Sequence, residues 1–343
     1  MNRLPRSTCS AMTILALLLV GSLALAQDNY HVFISNEYGA DISVLSGATN
    51  EIVGTITISG RPGDVRPRGM ALSPDGKTVY VSISDFLPLR ETLEDKVTAI
   101  DIATNEILTE IRAGGNPERV AVSPDGSRLW ASLEAIAEGG AYDAVTGEEL
   151  ATFRIGIEPE GVAVSPDGRW VYLTAETTHT VAVIDAQELT TVKHFLVSNR
   201  PRVVVFSRDG SRAYVSGEIG GSVSVVDVSQ HAVIGTAVMG LDSRPVGMAL
   251  SPEGDHLYVA GGGTSAIYVI DTESLEVIKV IREQMGRRPW DVAVSPDGST
   301  LYTSNGLSDS VSIIDTECLC VIDNISVGRG PHSIVIGVLP NAE

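Results

Sequence analysis

The chain has 343 residues and a formal net charge of −19 at pH 7, from 43 acidic and 24 basic residues. Because such a polyanion repels nucleic acid and anionic lipid at long range, we expect neither nucleic acid nor a membrane surface as a partner. The 3 cysteines are too few to build a disulfide-stabilised scaffold of this size, so packing must supply the stability.

The N-terminal segment is typical of a cleaved secretory signal peptide. Arg3 and Arg6 precede an apolar stretch at 11–20, and small residues follow up to Ala26. The stretch is shorter than the roughly 20 residues that span a bilayer, which makes an uncleaved anchor the weaker alternative. We therefore predict a signal peptide over residues 1–26 and a single mature domain over 27–343. That domain is expected to be periplasmic or secreted, not inserted in the membrane, and monomeric.

An internal repeat occupies the mature chain. Ser-Pro-Asp-Gly, or a close variant of it, recurs at steps of 50, 42, 42, 44 and 44 residues, beginning at Ser73, Ser123, Ser165, Ser207, Ser251 and Ser295. A proline that precedes this turn counts seven copies: Pro67, Pro117, Pro159, Pro201, Pro245, Pro289 and Pro331. A repeat of this length is typical of solenoids and propellers.

Each unit contains four short segments with the chemistry of antiparallel strands. In the fourth unit these are 161–164, 170–174, 180–185 and 191–195, which are rich in β-branched residues and separated by turn residues. No helical period follows the N-terminal segment, so a helical solenoid is excluded. Four strands per unit predict an all-β fold, a seven-bladed β-propeller of four-stranded blades.

The two ends of the mature chain predict how the ring closes. The chain enters at a second strand, 31–35, and ends with 331–336, which has the form of an innermost strand. Pairing of these segments would complete the first blade and remove two exposed sheet edges. Two units are irregular. The second has an insertion at 85–95, which would form a lid, a docking loop or simple packing, and the third has 141–143 in place of a full third-strand motif.

The repeat resembles a known family. Residues 162–185 are similar to the YVTN-type β-propeller repeat, and the resemblance covers nearly all of the mature chain. Residues 158–161, 198–202 and 216–221 resemble a seven-repeat exported branch found with pyrroloquinoline-quinone-dependent alcohol oxidation. The resemblance implies an accessory role beside a quinoprotein oxidation or transport system. With only 3 tryptophans, the chain lacks the tryptophan-rich repeats of propellers that bind the quinone, so we expect no quinone in it.

The copies of the repeat differ most where the innermost strands begin, around the mouth of the central channel. Propellers usually carry their function there. The predicted ligand- or partner-binding face consists of Arg66, Arg68, Glu118, Glu160, Glu176, Arg200, Arg202, Glu218, Arg288, Trp290 and His332. Two arrangements fit this composition. Acidic and basic sectors could face each other and orient a charged ligand, or arginines and glutamates of neighbouring blades could pair.

Familiar catalytic motifs do not occur in the sequence. There is no Gly-x-Ser-x-Gly elbow, no His-Glu-x-x-His pair, no phosphate-binding loop and no Cys-x-x-Cys-His haem site. We therefore predict a non-enzymatic propeller that binds a small molecule or a periplasmic protein, with no evident cofactor. The alternative is a metal-dependent hydrolase of the lactonase kind. Its divalent cation would be held by clustered carboxylates and by Asn116, Asn305 or His332.

The two cysteines of the mature chain, Cys318 and Cys320, are separated by one residue in a predicted turn. They are either ordinary thiols or one strained bridge, with a redox or metal role as the less favoured alternative.

Overall fold

The computed structural model describes residues 30–59, 64–85 and 95–338. The predicted signal peptide and positions 86–94 of the insertion lie outside these residues. Within the described part of the chain, 28 strands and a single 3-10 turn, Glu134–Ile136, form seven four-stranded sheets.

The strands are numbered in chain order. The first are β1 Tyr30–Asn36, β2 Asp41–Ser46, β3 Ile52–Thr57, β4 Val65–Leu72, β5 Thr78–Asp85, β6 Lys96–Asp101, β7 Ile107–Arg112, β8 Pro117–Val122, β9 Arg128–Leu133, β10 Glu138–Asp143, β11 Glu149–Arg154, β12 Pro159–Val164, β13 Trp170–Ala175 and β14 Thr180–Asp185. The remainder are β15 Thr190–Leu196, β16 Pro201–Phe206, β17 Arg212–Gly217, β18 Ser222–Asp227, β19 Ala232–Val238, β20 Pro245–Leu250, β21 His256–Gly261, β22 Ala266–Asp271, β23 Val277–Ile281, β24 Pro289–Val294, β25 Thr300–Asn305, β26 Ser310–Asp315, β27 Cys320–Ser326 and β28 Pro331–Val338.

The sheets are the blades of a ring. Blade 1 has the order β28-β1-β2-β3, and blades 2 to 7 take the following strands four at a time, from β4–β7 to β24–β27. The C-terminal strand β28 runs antiparallel to β1, with Val32 opposite Ile336 and Ile34 opposite Ile334. The predicted fold class and the predicted closure of the first blade by the C-terminal strand are both confirmed.

The Ser-Pro-Asp-Gly turn shows how the repeat builds its hairpins. Ser123 Oγ donates to Asp125 Oδ1 at 2.6 Å and accepts the backbone N–H of Arg128 at 2.9 Å. Gly126, at φ +74°, donates its N–H to the Ser123 carbonyl at 2.8 Å. Glycine is favoured there because side chains disfavour positive φ. The hydrogen bonds stay within the turn, so this sequence can specify the hairpin locally.

The third unit differs from the sequence expectation. Its third strand β10 is complete and pairs with both neighbours, although only 141–143 resembled the repeat. Glycines stand earlier in this strand because its neighbours need the space. A Cβ on Gly139 would lie 2.5 Å from Leu173, and one on Gly140 would lie 2.3 Å from the Tyr142 hydroxyl.

Hydrophobic side chains fill the wedges between neighbouring blades. Between blades 7 and 1, for example, Tyr302 and Ile313 pack with Val32 and Ile34. The hydroxyl groups of Tyr30 and Tyr302 lie 2.9 Å apart across the same boundary. Burying one such aliphatic side chain is worth about 1.5–3 kcal/mol, so these clusters hold neighbouring blades together.

Two further observations bear on the sequence expectations. Cys318 and Cys320 form a disulfide, with their Cα atoms 5.3 Å apart. The bridged form is therefore the one observed. In the described residues, no helix has the length and apolar character that crossing a membrane requires.

Candidate functional site

The channel mouth is built by the loops that enter the innermost strands. The residue before the repeated proline adopts a left-handed conformation in six blades, with φ between +50° and +63°: Asn116, Glu158, Arg200, Arg244, Arg288 and Gly330. This conformation costs a non-glycine residue about 1 kcal/mol or more. Because the loops share it, the side chains of the five non-glycine residues leave the backbone in equivalent directions around the mouth.

Arg68 is the centre of the first group of charges. Its guanidinium contacts the Glu118 carboxylate, its Nε lies 3.8 Å from Glu37 Oε1, and its Nη1 lies 4.0 Å from Glu134 Oε2. Arg66 Nη1 lies 3.4 Å from the same Glu37 oxygen. Arg68 is only 8% exposed, so these ion pairs are largely removed from water. Breaking a pair of this kind is costly because the remaining charge stays buried.

Arg202 is the centre of the second group. Its guanidinium contacts Glu160, and its Nη1 and Nη2 lie 2.7 Å from Glu176 Oε2 and 2.7 Å from Glu218 Oε2, respectively. Arg200 contacts one of the same glutamates, with its Nε 2.5 Å from Glu176 Oε1. One arginine thus joins carboxylates from two blades, and Glu218 accepts from Arg202 Nε as well, at 2.8 Å.

Of the two arrangements left open by the sequence, the structure shows pairing. Arginines lie among the glutamates and not in a separate sector that faces them. We call this set the rim network: Glu37, Arg66, Arg68, Glu118, Glu134, Glu160, Glu176, Arg200, Arg202, Glu218 and Arg288. All the predicted face residues other than Trp290 and His332 belong to it.

Burial changes the protonation of two glutamates in the rim network. It raises the pKa of Glu118 well above its usual range, against the lowering effect of Arg68. Burial likewise raises the pKa of Glu176 to about 8, although Arg202 lowers it. Glu176 is therefore mostly protonated at neutral pH. With Glu176 neutral, the five arginines of the rim network are matched by five other glutamates, within a protein that is acidic as a whole.

Glu160 behaves in the opposite way. Burial by itself would raise the pKa of Glu160, but Arg202 and Arg68 outweigh it and lower the pKa below the usual range. Glu160 and Glu176 also share a hydrogen bond, in which the protonated Glu176 donates and the ionised Glu160 accepts. The two carboxyl groups thus hold one proton between them.

An acidic cluster is a candidate cation site. Glu118, Glu134 and Glu160 each place one carboxylate oxygen within 4.8 Å of the other two. Carboxylate oxygens are the ligands that a hard cation such as Ca²⁺ prefers. Arg68 and Arg202 already contact this cluster, through Glu118 and Glu160. A divalent cation would therefore have to displace these guanidinium groups.

A cavity of about 270 Å³ lies beside the rim network, between blades 7 and 1. Its walls include Tyr38, Trp290 and His332 together with the guanidinium-bearing Arg68 and Arg288. The ring centroids of Trp290 and His332 are 5.3 Å apart, and the Arg288 guanidinium carbon lies 4.8 Å from the Trp290 ring centroid. The cavity thus combines aromatic surfaces with two cations and one carboxylate, that of Glu37.

His332 is the unusual member of this cavity. It is 5% exposed, and neither ring nitrogen has a hydrogen-bond partner among the described residues. Burial lowers the pKa of His332 well below 6.5, and the nearby Arg68 and Arg119 lower it further. At neutral pH the imidazole is uncharged, so one nitrogen is a donor and the other an acceptor. Buried polar atoms without protein partners are rare and suit a bound molecule.

An ion pair crosses the channel directly below the mouth. Arg119 Nη2 of blade 3 lies 3.3 Å from Asp291 Oδ2 of blade 7, between blades that are not neighbours in the ring. Glycines make room for it, since a Cβ on Gly69 would lie 2.5 Å from Arg119 Cγ, and one on Gly247 would lie 2.2 Å from Asp291 Oδ1. Ser333 Oγ donates to Asp291 Oδ2 at 3.0 Å. Arg119, Asp291 and Ser333 therefore form the inner end of the channel mouth.

The remaining predicted residues have structural partners. Asn116 accepts from Arg66 Nη2 at 3.2 Å and donates to Glu134 Oε2 at 2.9 Å, so it extends the rim network. Asn305 donates to Ser312 Oγ at 2.9 Å within its own blade, and the structure gives it no contact with the acidic cluster. It therefore does not join the ligand set expected for a metal-dependent hydrolase.

Sequence reasoning missed Tyr38, Arg119 and Asp291. Tyr38 follows Glu37, a position that the repeat alignment does place at the mouth, and Arg119 and Asp291 directly follow Glu118 and Trp290. Each of the three residues lies one position after a residue of the channel mouth, and this position was the signal in the sequence that could have identified it. The sequence does not show that Arg119 and Asp291 lie within contact distance of each other across the channel.

Comparison with known proteins supports the fold. A family model described as lactonase, 7-bladed β-propeller, matches residues 194–318, which is less than half of the chain. Hydrazine synthase of Kuenenia stuttgartiensis is a similar solved structure, with a TM-score of 0.69, 21% identity, and 82% of this chain and 92% of that chain covered.

Two further structures are similar over nearly their whole length. A functionally unknown protein of Desulfotomaculum acetoxidans has a TM-score of 0.76 and 16% identity, with 90% of this chain and 99% of that chain covered. A candidate 6-phosphogluconolactonase of Bacteroides fragilis has a TM-score of 0.73 and 17% identity, with 90% and 98% covered. This chain has the seven-bladed β-propeller fold. The search of curated proteins gives no match.

Proposed function

We propose that the protein binds a small organic anion, such as a hydroxy acid, in the cavity at the channel mouth. The observation that carries the proposal is His332, a buried neutral imidazole whose two ring nitrogens have no hydrogen-bond partner among the described residues, in a cavity that also presents two guanidinium groups. The imidazole can accept from a ligand hydroxyl and donate to a carboxylate oxygen, while Arg68 and Arg288 supply charge-assisted hydrogen bonds.

Size and charge agree with this ligand class. The cavity of about 270 Å³ is below the roughly 300–1,000 Å³ of pockets that enclose drug-sized ligands, so it suits a small molecule. Among the described residues that line the cavity, the two guanidinium groups outnumber the carboxylate of Glu37, which favours an anion locally. Trp290 offers an apolar face for the carbon skeleton. The neighbouring acidic cluster remains the place where a divalent cation would bind if one is required.

The same proposal includes the biological setting. The N-terminal segment supports export to the periplasm or out of the cell, where we propose that the protein acts as a monomer. The resemblance to the branch associated with alcohol oxidation supports an accessory role there. Oxidation of alcohols produces aldehydes and carboxylic acids, and oxidation of diols produces lactones. A propeller that captures such products would fit beside a quinoprotein oxidation or transport system, with a periplasmic protein as its second possible partner.

Isothermal titration calorimetry with short hydroxy acids tests the binding. His332→Phe keeps a flat ring but removes both nitrogens, and Arg288→Met keeps the stem but removes the charge. Each should weaken binding by roughly tenfold or more, because a charge-assisted hydrogen bond contributes about 1.5–3 kcal/mol. Arg208→Met, at an exposed position, is the matched control. Unchanged affinity in both mouth variants would refute the proposal.

Lactone hydrolysis in the same cavity is the second candidate, favoured by the family model that matches residues 194–318. This stretch contributes Arg202, Arg288 and Trp290 to the mouth. His332 would accept a proton from the attacking water, and the guanidinium of Arg288 would stabilise the developing oxyanion. Release of acid from five- and six-membered lactones, followed in a pH-stat with and without a chelator, separates this candidate from binding alone. Turnover that His332→Gln does not reduce would exclude this role for the histidine.

A further inference from the structure

The turn between β26 and β27 carries a disulfide on the face opposite the channel mouth. Cys318 and Cys320 flank a single residue, Leu319, and both cysteines are exposed to solvent. Most disulfides that stabilise folds link distant parts of the chain and are buried. A contribution to stability therefore does not explain the presence of an exposed disulfide that spans a single residue.

Equivalent turns in other blades show that the bridge is not needed for the fold. Asp315 Oδ1 accepts the backbone N–H groups of Glu317 at 2.8 Å and Cys318 at 2.9 Å. In blade 2, Asp101 Oδ1 accepts the corresponding groups of Ala103 at 2.9 Å and Thr104 at 2.8 Å. The same turn therefore forms without cysteine.

The backbone between the two cysteines also repeats. Leu319 has φ +51°, while Asn105 and Leu275, which occupy the same position in blades 2 and 6, both have φ +61°. The left-handed conformation therefore belongs to the turn and is not imposed by the disulfide. Because the loop that the bridge closes is very short, the loss of unfolded-state entropy is small. Reduction should leave the propeller folded.

A groove beside the disulfide offers a place for a partner. Its volume is about 500 Å³, and it runs between the outer strands β23 and β27 of blades 6 and 7. Cys318 and Cys320 line one side, and Lys279, Arg282 and the acidic Glu283 line the other. Cationic side chains stabilise a thiolate relative to a thiol, so Lys279 and Arg282 favour the leaving cysteine, against the opposing charges of Glu283 in the groove and Glu317 next to Cys318.

We propose that the Cys318–Cys320 disulfide is a redox-active site that accepts two electrons from the exposed dithiol of a protein docked in this groove. A thiolate of the partner attacks one sulfur, the S–S bond breaks, and the other cysteine leaves as a thiolate that takes a proton from water. The second partner thiolate then attacks the mixed disulfide. The partner departs as a disulfide, and this protein keeps both cysteines as thiols.

Reduced thioredoxin, a protein dithiol, is the probe. The folded protein is incubated with it, and free thiols are alkylated and counted by mass spectrometry. We expect both cysteines to be labelled without denaturant, at least tenfold faster than with the same concentration of reduced glutathione. Thioredoxin whose second active-site cysteine is serine should remain attached as a mixed disulfide. Lys279→Gln combined with Arg282→Gln should slow reduction several-fold.

A matched control uses the sequence of blade 2. The double variant Cys318→Thr, Cys320→Glu carries the residues found at Thr104 and Glu106, and it should trap no thioredoxin. Its melting temperature should lie within about 3 °C of the oxidised protein. Two results would overturn the proposal. One is a disulfide that thioredoxin reduces only in denaturant, and the other is a fall of 10 °C or more in melting temperature on reduction, which would make the bridge structural.

Discussion

Replacing Arg202 by methionine isolates the contribution of one buried cation to the channel mouth. Methionine keeps an unbranched stem but leaves Glu160 and Glu218 without a guanidinium that contacts them at present. Breaking a buried ion pair costs about 3–5 kcal/mol. Arg200 remains 3.4 Å from Glu218, and Arg68 still acts on Glu160, so we expect the lower end, about 3 kcal/mol at pH 7.5.

The pH dependence of this loss is the sharper measurement. The pKa of Glu160 is lowered in the folded protein, so its ionisation contributes stability above the unfolded pKa, and that contribution disappears as the pH falls through the folded pKa. Arg202→Met removes the main cause of the lowered pKa. Its deficit in urea unfolding should therefore shrink between pH 4.5 and pH 3. The exposed Arg208→Met should change stability by less than about 0.5 kcal/mol. A deficit under about 1 kcal/mol, or one that is equal at both pH values, would refute the reasoning.

Two further substitutions test the protonated glutamate and the ring closure. Glu176 has a pKa of about 8 in the folded protein and 4.5 ordinarily, so its contribution to stability is complete below pH 4.5 and is lost as the pH rises through 8. Glu176→Gln mimics the protonated form and should be more stable than the parent at pH 9, by about 2 kcal/mol after a discount for solvent screening, with little difference at pH 4.5. Ile334→Ala, in the strand that closes blade 1, should cost about 3 kcal/mol in urea unfolding because it opens a cavity against Ile34.

Controls accompany both substitutions. Glu188→Gln changes an exposed glutamate of the same blade and should leave the pH profile of unfolding unaltered. Ile322→Ala removes the same atoms as Ile334→Ala from a residue that is 55% exposed, and its cost should stay below about 0.5 kcal/mol. If Glu176→Gln were less stable than the parent at pH 9, the pKa of Glu176 would not be raised in the folded protein. An equal cost for the two isoleucine variants would mean that β28 does not close the ring.

The sequence was sufficient to predict the fold because each hairpin is specified locally. The turn at Ser123 satisfies its own hydrogen bonds, and the count of repeated prolines equals the count of blades. The prediction for blade 3 was incomplete. Gly139 and Gly140 were missing from the recognised strand motif, since their reason is the space that Leu173 and Tyr142 occupy. That reason depends on packing between and within blades, which a repeat alignment does not contain.

For the candidate site, too, the sequence determined some features and the tertiary structure alone decided the others. The sequence alone determined that unlike residues such as Arg68, Glu118 and Trp290 stand at equivalent positions of different blades, because repeat register follows from local turns and strand lengths. Only the tertiary structure decided that the arginines lie among the glutamates, that Arg119 reaches Asp291 across the channel, and that the ring nitrogens of His332 are buried with no hydrogen-bond partner in the part of the chain that the structure describes. Those facts are distances between residues far apart in sequence, and ring closure sets them all at once. Burial then fixes which carboxyl groups keep a proton, and thereby the charge that a ligand would meet.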